Sequence, residues 1–222
     1  MADVLIDANT IRSPELRHEI PAGVIDPFLY GEADGVAFAA VSSLDAPTIA
    51  AARPELRQLD MIADLGLMDL IRDGTPRRQA LLEMRLRACR EMGVTRALVP
   101  DAFPLASAEY LRAGGIELEV DGAHFDERRR VKTAAELAGI RRATAAAEAG
   151  LEAARAAVAV GLTIEALRAI VRSAVEAHDV VLGDFTVARG PQTATGHGPG
   201  SGPIVAGEPV IVDLWPQDRE SV

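Results

Sequence analysis

Between Phe28 and Val120 the hydrophobic period of the sequence switches repeatedly from about two residues to about 3.6 and back, and this alternation restricts the fold more than any other feature. "FLYGEADGVAFAAVSS" (28–43) holds two β-rich runs on either side of Asp34-Gly35, the pattern of a tight hairpin. "RRQALLEMRLRACREMG" (77–93) carries apolar residues at helical spacing and a glycine where a helix ends. "TRALVP" follows as a buried strand. A helix, "LASAEYLRAGG", closes on Gly114 and Gly115, and "IELEV" reads as a further strand. Strands alternating with helices predict an α/β layer domain over residues 1–125.

The pattern then changes. "DGAHFDERRRVKT" is polar and charged, as a linker is, and places the junction between two domains near residues 122–132. "TAAE" at Thr133–Glu136 is a capping box, in which a threonine oxygen and a glutamate carboxylate satisfy free N–H groups at a helix start. The alanine-rich stretch that follows predicts a long helix ending by Gly161. Thr163 caps the amphipathic "IEALRAIVRSAVEAH". "VVLGDFTVARG" and "PIVAGEPVIVDLW" read as strands. Residues 126–222 therefore predict two helices and the strands that begin a sheet.

Composition excludes several classes of partner. Nearly half of the 222 residues are apolar and a quarter are charged, the balance of a globular chain. The net charge of −10 leaves no basic face for phosphates, so no nucleic-acid partner is expected. Arginines cluster only in "DERRRVK" and "GIRRA", each beside carboxylates, which reads as a solvated helix face or linker. The single cysteine, Cys89, can form no internal disulfide and reads as a small buried apolar residue, which fits a reducing compartment. "MADVLIDANTIRS" lacks the basic and apolar regions of a signal peptide, and no apolar run approaches the roughly 20 residues that cross a bilayer. A cytoplasmic protein without a membrane partner is expected.

Chemistry concentrates in "GHGPGSGPIVAGEPVIVDLW" (196–215). Its glycines do not match G-x-G-x-x-G, and a strand rather than a helix follows, so no pyrophosphate cradle is expected. His197, taken alone, is a turn histidine that water can satisfy. Asp213 is more informative, because it interrupts the strand pattern "PVIV" and is followed by Leu214 and Trp215. A carboxylate among apolar residues is costly unless a partner, a hydrogen-bond network or a metal compensates it. Asp218 and Glu220 fall in a polar turn, where solvation is the default. His18, His124 and His178 lie apart from other ligand types, no serine stands in a nucleophile elbow, and Cys89 has no histidine at motif spacing. The remaining constellation is His197 with Asp213.

"VKTAAELAGIRRA", "GLTIEALRAIV" and "GHGPGSGPIVAGEPVIVDLWPQDRES" resemble consecutive segments of the creatinase, Xaa-Pro aminopeptidase and methionine aminopeptidase family, the pita-bread metallohydrolases. The similarity is closest to the bacterial Xaa-Pro aminopeptidases, and the first half resembles their non-catalytic N-terminal domain. The resemblance implies an α/β (α+β) fold: a creatinase-like domain over 1–125, then an incomplete pita-bread domain over 126–222. It implies that Asp213 is the first carboxylate of a dinuclear metal site. It also implies that His197 is the histidine near the substrate, and not a primary metal ligand. The family's second aspartate, a histidine and two glutamates would follow beyond Val222, so this chain alone is expected to bind no metal and to be inactive.

The implied cofactors of the complete protein are two divalent ions, manganese or cobalt on an oxygen-rich ligand set, with zinc as an alternative, sharing a bridging water. The implied partner is a peptide with proline at its second position, and a homo-oligomer is expected. Two other readings stay open: a creatinase-like amidinohydrolase on the same scaffold, and a pita-bread binding module without catalysis. Retention of Asp213 favours the metallopeptidase.

Overall fold

The computed structural model describes residues 2–196 and 198–218, and its contacts divide the chain into two compact units, Met1–Lys132 and Thr133–Val222. In the first unit β1 (Val4–Ala8), β2 (Phe28–Ala33), β3 (Val36–Val41), β4 (Arg57–Asp60), β5 (Arg96–Val99) and β6 (Glu117–Val120) form one sheet in the order β4-β3-β2-β1-β5-β6. β2 runs antiparallel to β1 and β3, while β1–β5, β3–β4 and β5–β6 pair in parallel. The helices are α1 (Pro14–Glu19), α2 (Ala46–Ala52), α3 (Leu67–Arg72), α4 (Arg77–Glu91), α5 (Leu105–Ala113) and α6 (Gly122–Arg128). Parallel neighbours need a crossover, and α2 and α5 supply it for β3–β4 and β5–β6. The hairpin β2–β3 turns on Asp34 (φ 49°) and Gly35 (φ 79°), two successive left-handed residues of the kind a two-residue turn requires.

The central strands are buried on both faces, and because successive strand residues alternate sides each strand feeds two cores. Leu5, Leu29, Phe38 and Leu59 pack with Met84, Cys89 and Leu111, whereas Val4, Ile6, Tyr30 and Val41 pack with Leu16, Ile20, Ile49 and Phe125. Cys89 is fully buried, and burial together with the Asp7 charge pushes its thiol up to about 12. It is an inert packing residue.

Of two further features of this unit, the first has no counterpart in the sequence reading and the second departs from it. The central strand β1 carries a buried carboxylate, Asp7, compensated by a bidentate Arg85 (2.6 and 2.8 Å) and by the Ser107 hydroxyl (2.5 Å). The charged stretch expected as a linker forms α6, with Phe125 buried beneath it. Arg128 of α6 is no solvated arginine: it donates to Glu19 (2.9 Å) and Glu32 (2.5 Å), and the buried Tyr30 hydroxyl donates to Glu32 (2.7 Å). Burial alone would raise the Glu32 carboxyl, but the hydrogen bonds from Arg128 and Tyr30 outweigh it and hold the group below its ordinary value.

The second unit opens on α7 (Ala134–Ala157) and α8 (Ile164–Glu176), followed by β7 (Val180–Val181), β8 (Thr186–Arg189), β9 (Val210–Asp213) and β10 (Gln217–Asp218). The capping box is complete: Glu136 N–H donates to Thr133 Oγ1 (3.1 Å) and Thr133 N–H to Glu136 Oε2 (2.7 Å). β8 pairs antiparallel with β9, and β7 with β10. Asp218, expected in solvent, is buried and accepts two hydrogen bonds from Arg142 (2.6 and 2.8 Å). Arg142 belongs to "GIRRA", the second arginine cluster read as solvated. Among the described residues no helix is long and apolar enough to cross a membrane.

Candidate functional site

The site is built on the antiparallel pair β8–β9, in which Asp213 stands opposite Thr186 and Val212 opposite Val187. Val210, Val212 and Leu214 are half-buried against Val187 and the apolar stripe Ile164, Leu167, Val171 and Val175 of α8. Strand alternation sends Ile211, Asp213 and Trp215 to the other face, where all three are exposed. The apolar flanks of Asp213 therefore do not desolvate it, contrary to the expectation from sequence; they point the opposite way.

Among the described residues the Asp213 carboxylate has no hydrogen-bond or ion-pair partner. The neighbouring acids do: Glu208 accepts from Arg189 (2.9 Å) and Asp218 from Arg142 (2.6 Å). A carboxylate held on a regular strand, unpartnered and facing outward, offers an oxygen donor whose position the backbone fixes.

The glycine-rich segment is strapped to the same strand. Gly200 N–H donates to the Val187 carbonyl (3.1 Å), and a Cβ there would lie 2.4 Å from that oxygen and 2.7 Å from the Ala188 Cα. Only glycine fits. The Gln192 amide both donates to the Ser201 carbonyl (3.0 Å) and accepts from its N–H (3.1 Å). Gly202 N–H donates to the Glu165 carboxylate (3.3 Å), and Ile164 N–H donates to the Gly202 carbonyl (3.0 Å). The backbone N–H groups of Glu165 itself and of Gly202 hold the Glu165 carboxyl below its usual range. The roles of Gln192 and Glu165 escape a reading of the sequence, although an acid in the first turn of α8 is a signal for a helix-start anchor.

His197 lies outside the described residues, so the structure brings only Asp213 of the expected pair into view. Among the described residues no three His, Cys, Asp or Glu side chains converge in a group that could hold a metal ion. One carboxylate does not fit a dinuclear centre, which needs several ligands and a bridging position. His18, His124 and His178 are distant in sequence from β9 and join no such group.

Comparison with solved structures places this fold. A prolidase from Pyrococcus horikoshii OT3 superposes with a TM-score of 0.74 at 17% identity, over 99% of this chain and 57% of its own. An Xaa-Pro dipeptidase from Bacillus anthracis gives 0.73 at 14%, over 96% and 56%. An X-Pro aminopeptidase from Thermotoga maritima MSB8 gives 0.67 at 13%, over 99% and 58%. No protein-family model and no curated protein matches the chain. The chain thus has the mixed α/β fold that these Xaa-Pro peptidases share, and it spans a little over half of their length. The fold implied by the resemblance to the pita-bread proteins is the fold observed.

Proposed function

We propose that this chain is the first part of a metal-dependent peptidase that removes the residue preceding proline from the N-terminus of a peptide. The observation that carries the reading is the outward-facing, unpartnered Asp213 on β9, in a fold matched over nearly the whole chain by solved Xaa-Pro peptidases. In this reading Asp213 is one ligand of a pair of divalent ions, manganese or cobalt, with zinc as an alternative. His197 stands near the substrate and handles its charge or proton without binding metal. The metals, when bound, would lower the pKa of a shared water and polarise the scissile carbonyl. This chain's own contribution is the rigid placement of the carboxylate on β9 and of the glycine-rich segment on β8. The remaining ligands would come from sequence after Val222, and the protein would act in the cytoplasm as a homo-oligomer.

The test uses the protein extended past Val222 by its natural sequence. Asp213→Asn should lower both metal content and Xaa-Pro peptidase turnover to background. His197→Ala should keep the metal and lose turnover. Metal retention with full activity in Asp213→Asn would overturn the assignment. An extension that binds no metal and cleaves no peptide would point to the non-catalytic module instead.

A further inference from the structure

The first unit contains a cleft that the peptidase reading does not use. Two cavities of about 510 and 440 Å³ meet at Asp7, Pro27 and Pro104, which line both. They open at the carboxyl ends of β1 and β5, adjacent parallel strands whose following helices, α1 and α5, pack on opposite faces of the sheet. Open α/β sheets bind small molecules at such a switch point, outside the carboxyl ends of the strands.

The chemistry of the lining is one-sided. The two oxygens of Asp7 are taken by Arg85 and Ser107, so its charge is neutralised and its acceptors are occupied. Arg12 lines the first cavity and Arg77 and Arg78 the second, and none of their guanidinium groups has a partner among the described residues. The Asn9 side chain accepts from Arg12 N–H (2.9 Å) and keeps its NH₂ donors unpaired among the described residues. The one carboxylate besides Asp7 on this lining, Glu15, accepts from Ser13 (3.0 Å) and lies 3.6 Å from Arg129. The second cavity holds two unpaired guanidinium groups and no carboxylate besides the paired Asp7, in a chain of net charge −10. The remaining wall is apolar and stiff, with Pro27, Pro100, Phe103 and Pro104.

The rim is also held in place before any ligand arrives. Thr10 N–H donates to the Val24 carbonyl (3.3 Å) and Val24 N–H to Thr10 Oγ1 (2.8 Å). Arg17 donates to the carbonyls of Thr10 (2.8 Å) and Ile11 (2.6 Å). An ordered rim lowers the entropy cost of binding.

We infer that the second of these cavities binds a small organic anion, a phosphate or carboxylate carried on an apolar body, with the oxyanion at Arg77 and Arg78 and the body against Leu81, Pro27 and Pro104. The site stands apart from the proposed peptidase function, and failure of either leaves the other untouched. Titration of the 222-residue chain with benzyl phosphate, phenylacetate, inorganic phosphate and benzyl alcohol, followed by amide NMR, tests it. Benzyl phosphate or phenylacetate should shift amides within residues 77–85 and 104–107, inorganic phosphate should bind more weakly, and benzyl alcohol should not bind. Replacing Arg77 and Arg78 together by serine should weaken binding about tenfold or more, as expected on losing charge-assisted hydrogen bonds. Arg12→Ser should leave it unchanged, because Arg12 lines only the first cavity. These side chains are exposed, so an unchanged unfolding midpoint would confirm that the variants fold. Shifts elsewhere only, no shifts at millimolar probe, or equal affinity in the variant that replaces Arg77 and Arg78 would overturn the inference.

Discussion

The two units treat a sheet in opposite ways. In the first, the central strands are buried on both faces, and the charges on them are matched: the buried Asp7 by Arg85, the half-buried Glu32 by Arg128. In the second, β9 packs one face against α8 and leaves Ile211, Asp213 and Trp215 exposed on the other. A sheet covered on both sides has nothing left to offer except at its strand ends. A sheet covered on one side keeps a face on which side chains can meet a ligand or another segment of protein. The difference locates the candidate chemistry in the second unit and the candidate small-molecule cleft at the strand ends of the first.

The sharpest way to break this contrast is to uncouple a buried charge in the first unit. Arg85→Ala leaves the Asp7 carboxylate buried without its bidentate partner, and urea unfolding should report a loss of about 3–5 kcal/mol. By contrast Arg57→Ala, which breaks an exposed pair with Glu91, should cost under about 1 kcal/mol. Equal costs would mean that Asp7 is not the buried, charge-matched residue described.

In the second unit the contact of the glycine-rich segment with β8 is the point to press. Gly200→Ala drives a methyl into the Val187 carbonyl and should cost about 1–3 kcal/mol of stability, with the loss visible in the amide signals of residues 198–204. A neutral result would mean that the segment is not strapped to β8.

Thr133→Ala removes one half of the capping box and should lower stability by about 1 kcal/mol, with a matching loss of helix signal from α7.

The smallest effect concerns pH. Glu32 has a folded-state value below that of the unfolded chain, so its ionised form stabilises the first unit above the unfolded value. That contribution is lost as pH falls through the folded value. Stability should therefore decline below about pH 4.5, the ordinary glutamate value, and the decline should be shallower in Glu32→Gln. An unchanged slope in that variant would remove Glu32 from the network.

Local signals in the sequence located the hairpin at Asp34-Gly35, the helices α4, α5, α7 and α8, and the strands β5, β6 and β9, because periodicity, turn residues and caps act within a few positions. What stayed hidden depends on distant partners. β1 is five residues long and includes an aspartate, Asp7, whose arginine lies 78 positions away. α6 reads as a linker because Phe125 and Arg128 gain their meaning only from Glu19 and Glu32, on other elements. Asp218 reads as solvated because Arg142 is 76 positions earlier. Asp213 was legible as a candidate, but for an incomplete reason, since strand alternation exposes it and its apolar neighbours do not surround it.

The central proposal is that Asp213 is one carboxylate of a metal centre whose other ligands this chain does not supply. Elemental analysis of the purified 222-residue protein, paired with an Xaa-Pro peptide assay in added manganese, tests it most directly. The account predicts no bound metal pair and no turnover. About two metal ions per chain with measurable hydrolysis, the stoichiometry of a dinuclear site, would contradict it.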